Sequence, residues 1–304
     1  MEGMLRWGLE LIRMVQSAAN PPLTAFMKGV TGLGAAPAYM ALLPLCYWCY
    51  DEKKGLRLGL AVIFSAWINL SLKFLLGQPR PFWPEYDPGV GMIREGLNGL
   101  PSGHAQISLT LWTIAASWGG KKRFYAAAFF ISLLVGFSRL YLGVHFPTDL
   151  IAGWVLGAAV CGGYFLLGPR IAAALSKGGF RAQMIAGAAA AFVMILYRPG
   201  EALLMPGAVV LGMSVGYGLN LRYVRFSAAA VFGRRGAAKY LTLLGRFLVG
   251  AAGMAAVFLV FDLISPRSPA SSVYNLFFFL RYVFLLLWVF TAAPWVFRRV
   301  RLAE

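Results

Sequence analysis

Only two histidines occur among the 304 residues, His104 and His145, and both fall inside one window running from Lys73 to Asp149. His145 is followed four residues later by Asp149, across Pro147. A carboxylate that accepts a hydrogen bond from one imidazole nitrogen fixes the tautomer and leaves the other nitrogen available as a nucleophile. His104 closes the tetrapeptide Pro101-Ser102-Gly103-His104, which stands directly ahead of an apolar run. Ser is a preferred helix N-cap, Gly allows close backbone approach to a ligand, and the free N–H groups of a helix N-terminus bind phosphate-like anions. Lys73, Arg80 and Arg139 add three cations in strongly apolar surroundings, where a charge is costly unless it meets a counter-anion or an aqueous pocket. The set predicts a pocket that grips a multivalent anion and attacks it. The plainer readings are that Lys73 snorkels to an interface and that Glu85, Asp87 and Glu95 neutralise the cations. Two histidines and one aspartate make a thin metal-ligand set among so many cations, so no metal or other cofactor is expected.

These residues need elements to hold them, and the composition says which kind. A hydrophobic content of 60% and a mean hydropathy of +0.69 exclude an ordinary soluble domain. A helix needs about 20 apolar residues to cross a bilayer core of about 30 Å. Runs that meet or approach this length cover roughly 32–50, 57–77, 104–119, 124–142, 149–169, 182–197, 203–220, 240–263 and 274–297, about nine in all. The expected fold is an all-α, polytopic transmembrane bundle. Lys73 then ends the second run, His104 opens the third, Arg139 ends the fourth and Asp149 opens the fifth.

Ahead of the bundle, Met4, Trp7, Leu11, Met14 and Val15 share one helical face and Arg6, Glu10, Arg13 and Ser17 another, which predicts an interfacial helix ending before Pro21-Pro22. No cleavable signal peptide is expected, because the first thirty residues lack an apolar stretch followed by a small-residue cleavage site. Cys46, Cys49 and Cys161 sit within apolar runs and read as packing residues, since a lone CxxC lacks the second pair of a zinc site.

The net charge of +17 would suggest a nucleic-acid partner for a soluble protein, but here the cations cluster in short loops between apolar runs, and no such partner is expected. Lys53, Lys54 and Arg57, then Lys121 to Arg123, then Arg170, Lys177 and Arg181, then the 222–239 segment, then Arg298, Arg299 and Arg301 all fall on one side if the runs alternate. The positive-inside rule makes that side cytoplasmic, which places loops 78–103 and 198–202, and the candidate site, at the extracytoplasmic face. Arg281 lies inside the last run, where it would suit a substrate path, snorkel, or pair with Asp262.

As a set, Lys73-x6-Arg80-Pro81, Pro101-Ser102-Gly103-His104 and Ser138-Arg139-x5-His145-x3-Asp149 resemble the three-part signature of the type 2 phosphatidic acid phosphatase (PAP2) superfamily, which also includes bacterial acid phosphatases and vanadium haloperoxidases. Every signature position is present, in order. The similarity extends to about residue 170; the remainder carries no recognisable family motif. The resemblance divides the chain into an interfacial lead-in over 1–30, a catalytic membrane core over 31–170 and additional C-terminal helices over 171–304.

The resemblance implies a metal-independent phosphatase working through a phosphohistidine. His145 would be the nucleophile, Asp149 its orienting partner and His104 the general acid and base, while Lys73, Arg80, Arg139, Ser102 and the Gly103 N–H would hold the phosphoryl oxygens. It also implies a phospholipid or polyprenyl phosphate substrate of the undecaprenyl diphosphate, phosphatidylglycerol phosphate or phosphatidate type, and a multi-pass protein of a bacterial inner membrane. Three other readings are a glucose-6-phosphatase-like enzyme for a soluble ester, favoured by Gly77 to Trp83, a phosphotransferase, and a non-catalytic transporter. Nothing in the sequence sets the oligomeric state.

Overall fold

A computed structural model describes residues 2–197, 201–233, 235–266 and 272–303. The described residues form eleven α-helices and no strands: α1 Glu2–Gln16, α2 Pro21–Gly32, α3 Ala36–Cys49, α4 Glu52–Leu76, α5 Gly103–Ser117, α6 Lys122–Tyr141, α7 Pro147–Leu196, α8 Glu201–Leu219, α9 Gly236–Ile264, α10 Ser272–Leu287 and α11 Ala293–Arg299. Six segments are long and apolar enough to cross a membrane, or seven if the broken pair α2 and α3 is one span. The protein is an integral membrane protein.

The sequence count of about nine apolar runs is thus approximate against these six or seven segments of the described residues. Helix α5, with 15 residues, is shorter than a full crossing requires. The runs at 149–169 and 182–197 have no loop between them and join in the 50-residue α7. At 1.5 Å per residue that helix would extend about 75 Å, more than twice the bilayer core. It is interrupted at Gly179, whose φ of 65° and ψ of −162° lie outside the helical region. Of the expected outer loop at 198–202, residues 198–200 lie outside the described residues and 201–202 open α8.

The chain divides into two compact units, residues 1–39 with 64–168, and residues 40–63 with 169–304. The core of the first unit gathers Leu5, Leu9 and Ile12 of α1 with Met27, Phe82, Val90, Leu142, Val144 and Phe146. Leu5, Leu9 and Ile12 of α1 are buried; of the apolar face read from sequence, Leu11 and Val15 pack against this core, while Met4, Trp7 and Met14 stay exposed, as a helix lying in a membrane interface requires. Polar contacts secure the same helix. Arg13 pairs with Asp87 at 2.7 Å, a hydrogen-bonded contact that holds the Asp87 carboxyl below its usual range. Gln16 donates to the carbonyls of Val90 and Tyr141 at 2.7 and 2.9 Å. The loop between α6 and α7 turns at Gly143, φ 69°, where any Cβ would run into the Val90 carbonyl.

In the second unit the core is Tyr47, Trp48, Met213, Phe226, Val289, Phe290 and Phe297 with their neighbours. Two π-helical turns interrupt its helices, Asn220–Val224 and Trp288–Ala292. Widening a helix releases carbonyls that lipid cannot satisfy, so side chains must do so. Asn220 donates to the Phe290 carbonyl at 2.7 Å and Trp48 to that of Val289 at 2.8 Å. Arg281 neither pairs with Asp262 among the described residues nor finds an acceptor for its Nε; its guanidinium stands 6.0 Å over the Phe258 ring. The three cysteines are free thiols.

Candidate active site

Four helix ends of the first unit carry the predicted residues. Lys73 lies in the last turn of α4, Gly103 and His104 open α5, Arg139 lies in the last turn of α6 and Asp149 in the first turn of α7. Arg80 comes from the long loop after α4, and His145 from the five-residue link between α6 and α7. Helix ends are where charged side chains and unpaired backbone groups can meet water at the edge of an apolar bundle. The core beneath holds them still, since Val144 and Phe146, flanking His145, are fully buried.

His145 Nδ1 is 3.0 Å from Asp149 Oδ2, which also accepts from the Phe146 backbone N–H at 3.0 Å. The other carboxylate oxygen accepts from Gln78 Nε2 at 2.8 Å. With Nδ1–H donated to Asp149, Nε2 keeps its lone pair, and it faces Arg80 Nη1 at 3.3 Å. Burial first, then the charges of Arg80, Lys73 and Arg139, hold the His145 imidazole well below its ordinary pKa, so it is neutral at pH 7.

The cations are anchored differently. Lys73 Nζ donates to the carbonyls of Asn98 and Gly99 at 2.6 and 2.8 Å. Arg80 donates through Nε to the Leu97 carbonyl and through Nη1 to that of Val144 at 2.9 Å. Arg139 donates to Thr31 Oγ1 at 2.7 Å. Both arginines then converge on Glu95, Arg80 Nη2 at 2.7 Å and Arg139 Nη2 on the other carboxylate oxygen. Burial raises the Glu95 carboxyl, but the two guanidinium charges outweigh it and hold the group below its usual range. The pairing that sequence offered as the plainer reading is thus real for Glu95, while Asp87 is engaged by Arg13.

A cavity of about 350 Å³ opens among Lys73, Arg80, Glu95, Gly103, His104 and His145. Three predicted residues stand back from it, Asp149 among them, behind His145. Ser102 is fully buried and its Oγ caps α5 by accepting from the Ala105 N–H. Arg139 is 1% exposed and reaches the cavity wall through Glu95. Sequence reasoning missed Asn69, which lines the cavity and donates to the Pro101 carbonyl and to Gln106 Oε1. It also missed Gln78 and Thr31. A polar residue within the apolar α4 run, one turn before Lys73, was the available signal for Asn69.

Fold and geometry together define a membrane-embedded helical protein with a cation-lined cavity beside a histidine–aspartate pair. Comparisons with known proteins agree. Residues 54–172 match the model of the PAP2 superfamily, and residues 204–304 that of the PAP2 superfamily phosphatase transmembrane extension. Phosphatidylglycerophosphatase B of Bacillus subtilis is 30% identical over 151 residues, 45% of this chain and 71% of that protein. An undecaprenyl-diphosphatase of Sulfolobus acidocaldarius is 32% identical over 165 residues, covering 52% and 76%. Lipid phosphate phosphatase delta of Arabidopsis thaliana is 27% identical over 173 residues, 51% of this chain but only 41% of the relative's length. The chain belongs to the PAP2 superfamily. Its C-terminal region, in which no family motif is visible, is part of that match.

Proposed function

We propose that this protein is a membrane phosphatase that hydrolyses a terminal phosphate or diphosphate on a lipid, at the extracytoplasmic face of a bacterial inner membrane, with no metal taking part. The observation that carries the reading is His145, neutral and oriented by Asp149, opening on a cavity it shares with Lys73, Arg80 and His104.

His145 Nε2 attacks phosphorus, a P–N bond forms and the P–O bond to the lipid breaks. The leaving oxygen takes its electron pair together with a proton from the His104 imidazolium. Burial and the neighbouring cations disfavour that form in the free site, and the bound phosphate dianion, arriving with its proton, supports it. Water then attacks the phosphohistidine, His104 removes its proton, the P–N bond breaks and inorganic phosphate leaves with His145 restored. Lys73, Arg80 and the N–H groups at the α5 N-terminus stabilise the charge spread over the non-bridging oxygens. Similarity to phosphatidylglycerophosphatase B and an undecaprenyl-diphosphatase supports a lipid substrate.

The test is phosphate release by the detergent-solubilised protein from phosphatidate, phosphatidylglycerol phosphate, undecaprenyl diphosphate and soluble sugar phosphates, with and without EDTA and vanadate. The expected result is turnover of lipid substrates with surface dilution in mixed micelles, inhibition by vanadate and indifference to EDTA. Preference for a sugar phosphate without surface dilution would instead support the soluble-ester reading, and loss of activity in EDTA would overturn the metal-free mechanism.

A further inference from the structure

Arg80 and Arg139, the two guanidinium groups that the resemblance assigns to phosphoryl oxygens, already hold an anion of the chain's own. Glu95 Oε2 lies 2.7 Å from Arg80 Nη2, and Oε1 contacts Arg139 Nη2. The guanidinium groups are 2% and 1% exposed, while the Glu95 side chain is 28% exposed and lines the cavity with both histidines. Glu95 comes from the irregular loop between α4 and α5, next to Gly96, where even an added Cβ would meet open space. The fixed members of the pair are the arginines. The member placed to yield is the carboxylate.

A count of donors shows what yielding releases. Arg80 commits Nε to Leu97 and Nη1 to Val144, with His145 Nε2 also against Nη1, so Nη2 is its face toward an incoming anion. Arg139 spends Nη1 on Thr31, and its buried Nε has no acceptor. An oxyanion binds a guanidinium best through two parallel hydrogen bonds, and the Nε–Nη2 edge of Arg139 is one such fork. Half of that fork is empty and the other half is on Glu95. A phosphoryl group that used both arginines would take the carboxylate's place.

Charge then decides which anions can do so. A phosphate monoester or diphosphate end group carries close to −2 at pH 7, its second pKa being about 6. It therefore gains more from two buried cations than the single charge of Glu95 does. A phosphodiester headgroup carries −1. It has no such advantage, and it must displace a carboxylate tethered at high effective concentration.

We propose that Glu95 is a specificity-determining residue: a resident carboxylate that occupies Arg80 and Arg139 until a dianionic phosphate displaces it, and that refuses monoanionic diester headgroups. The inference rests on the phosphatase reading above and deepens it. It explains how a phosphate pocket at a membrane surface avoids filling with the diester lipids that surround it.

The test is calorimetric titration of the full-length protein in detergent with inorganic phosphate and, separately, with short-chain phosphatidylglycerol. Wild type is compared with Glu95→Gln, and with Glu95→Ala should the first variant not fold. Removal of the charge is expected to tighten phosphate binding roughly tenfold, equivalent to about 1.4 kcal/mol, and to create phosphatidylglycerol binding that wild type lacks. Equal or weaker phosphate binding by the variants would make Glu95 a positioning residue only and overturn the inference while leaving the phosphatase reading in place. Tighter phosphate binding with continued indifference to phosphatidylglycerol would overturn the discrimination against diesters. If neither wild type nor variant bound phosphate, the anion pocket itself would be wrong.

Discussion

Each unit of the chain buries arginine, and the two do so in opposite ways. In the second unit Arg246 is 1% exposed, with its donors on the backbone carbonyls of Leu302, Trp48 and Ala228 at 2.9, 2.8 and 3.1 Å and its guanidinium over the Phe226 ring. In the first unit Arg80 and Arg139 are as deeply buried but share a partly exposed carboxylate at a cavity. Carbonyls fixed in a fold cannot leave, so Arg246 fastens chain segments together. A carboxylate on an irregular loop can leave, so the other pair can exchange partners. Burial of a charge alone does not mark a functional site; the identity and freedom of its partner do.

That contrast can be broken by substitution. The largest effect is expected at His145→Ala, which removes the nucleophile and should lower phosphate release on the order of 10⁴-fold or more. The fold should survive, because Asp149 keeps its hydrogen bonds from Gln78 and the Phe146 N–H, and Arg80 keeps those to the Leu97 and Val144 carbonyls. Arg246→Met should do the reverse. It strips donors from three buried carbonyls, at about 1–3 kcal/mol for each one left unsatisfied, so a large loss of thermal stability is expected with turnover per folded molecule preserved. An Arg246 variant of normal stability, or one folded but inactive, would erase the distinction between the two kinds of arginine.

Smaller effects sharpen the first unit. Gln78→Ala removes the 2.8 Å hydrogen bond to Asp149 Oδ1 and should lower kcat about tenfold with KM little changed, since Gln78 orients Asp149 rather than touching substrate. A rise in KM instead would place Gln78 on the substrate. Gly8→Ala sets a Cβ 3.0 Å from Phe146 and 3.1 Å from Pro147, tight enough to nudge the His145 loop. A stability loss of roughly 1 kcal/mol and a few-fold drop in activity are expected.

The smallest signal is in pH. The folded Glu95 carboxyl is held below its ordinary pKa, so its stabilising contribution is complete above that ordinary value and is lost as pH falls through the lower folded one. The difference in melting temperature between wild type and Glu95→Gln should be constant at neutral pH and close only on strong acidification. A difference that closed near pH 6 would mean the arginines do not hold the carboxylate as described.

Much of this site is legible in the sequence because its residues sit at helix ends. A run boundary places Lys73, His104, Arg139 and Asp149 without knowledge of packing, and the structure brings the His145 and Asp149 side chains within hydrogen-bond distance. Glu95 is different. It is one of three acids in the same loop, and only the packing of distant segments shows that Asp87 goes to Arg13 while Glu95 goes to Arg80 and Arg139. The second apolar face of α1, Leu5, Leu9 and Ile12, is hidden from a periodicity reading for a related reason. Apolar residues lie on two sides of that helix, and the Phe146 loop decides which side packs. The count of runs is only approximate where run length alone does not mark a span, at α7, which breaks at Gly179, and at the 15-residue α5.

The central claim is that His145 carries the phosphoryl group. In His104→Ala, a substrate with a good leaving group such as p-nitrophenyl phosphate needs no acid for the first step, while hydrolysis of the intermediate still lacks its base. Quenching that variant at alkaline pH and mapping its peptides by mass spectrometry should find phosphate on the His145 peptide, and none when His145→Ala is added. Turnover with no modified peptide, or phosphate carried by another residue, would contradict it.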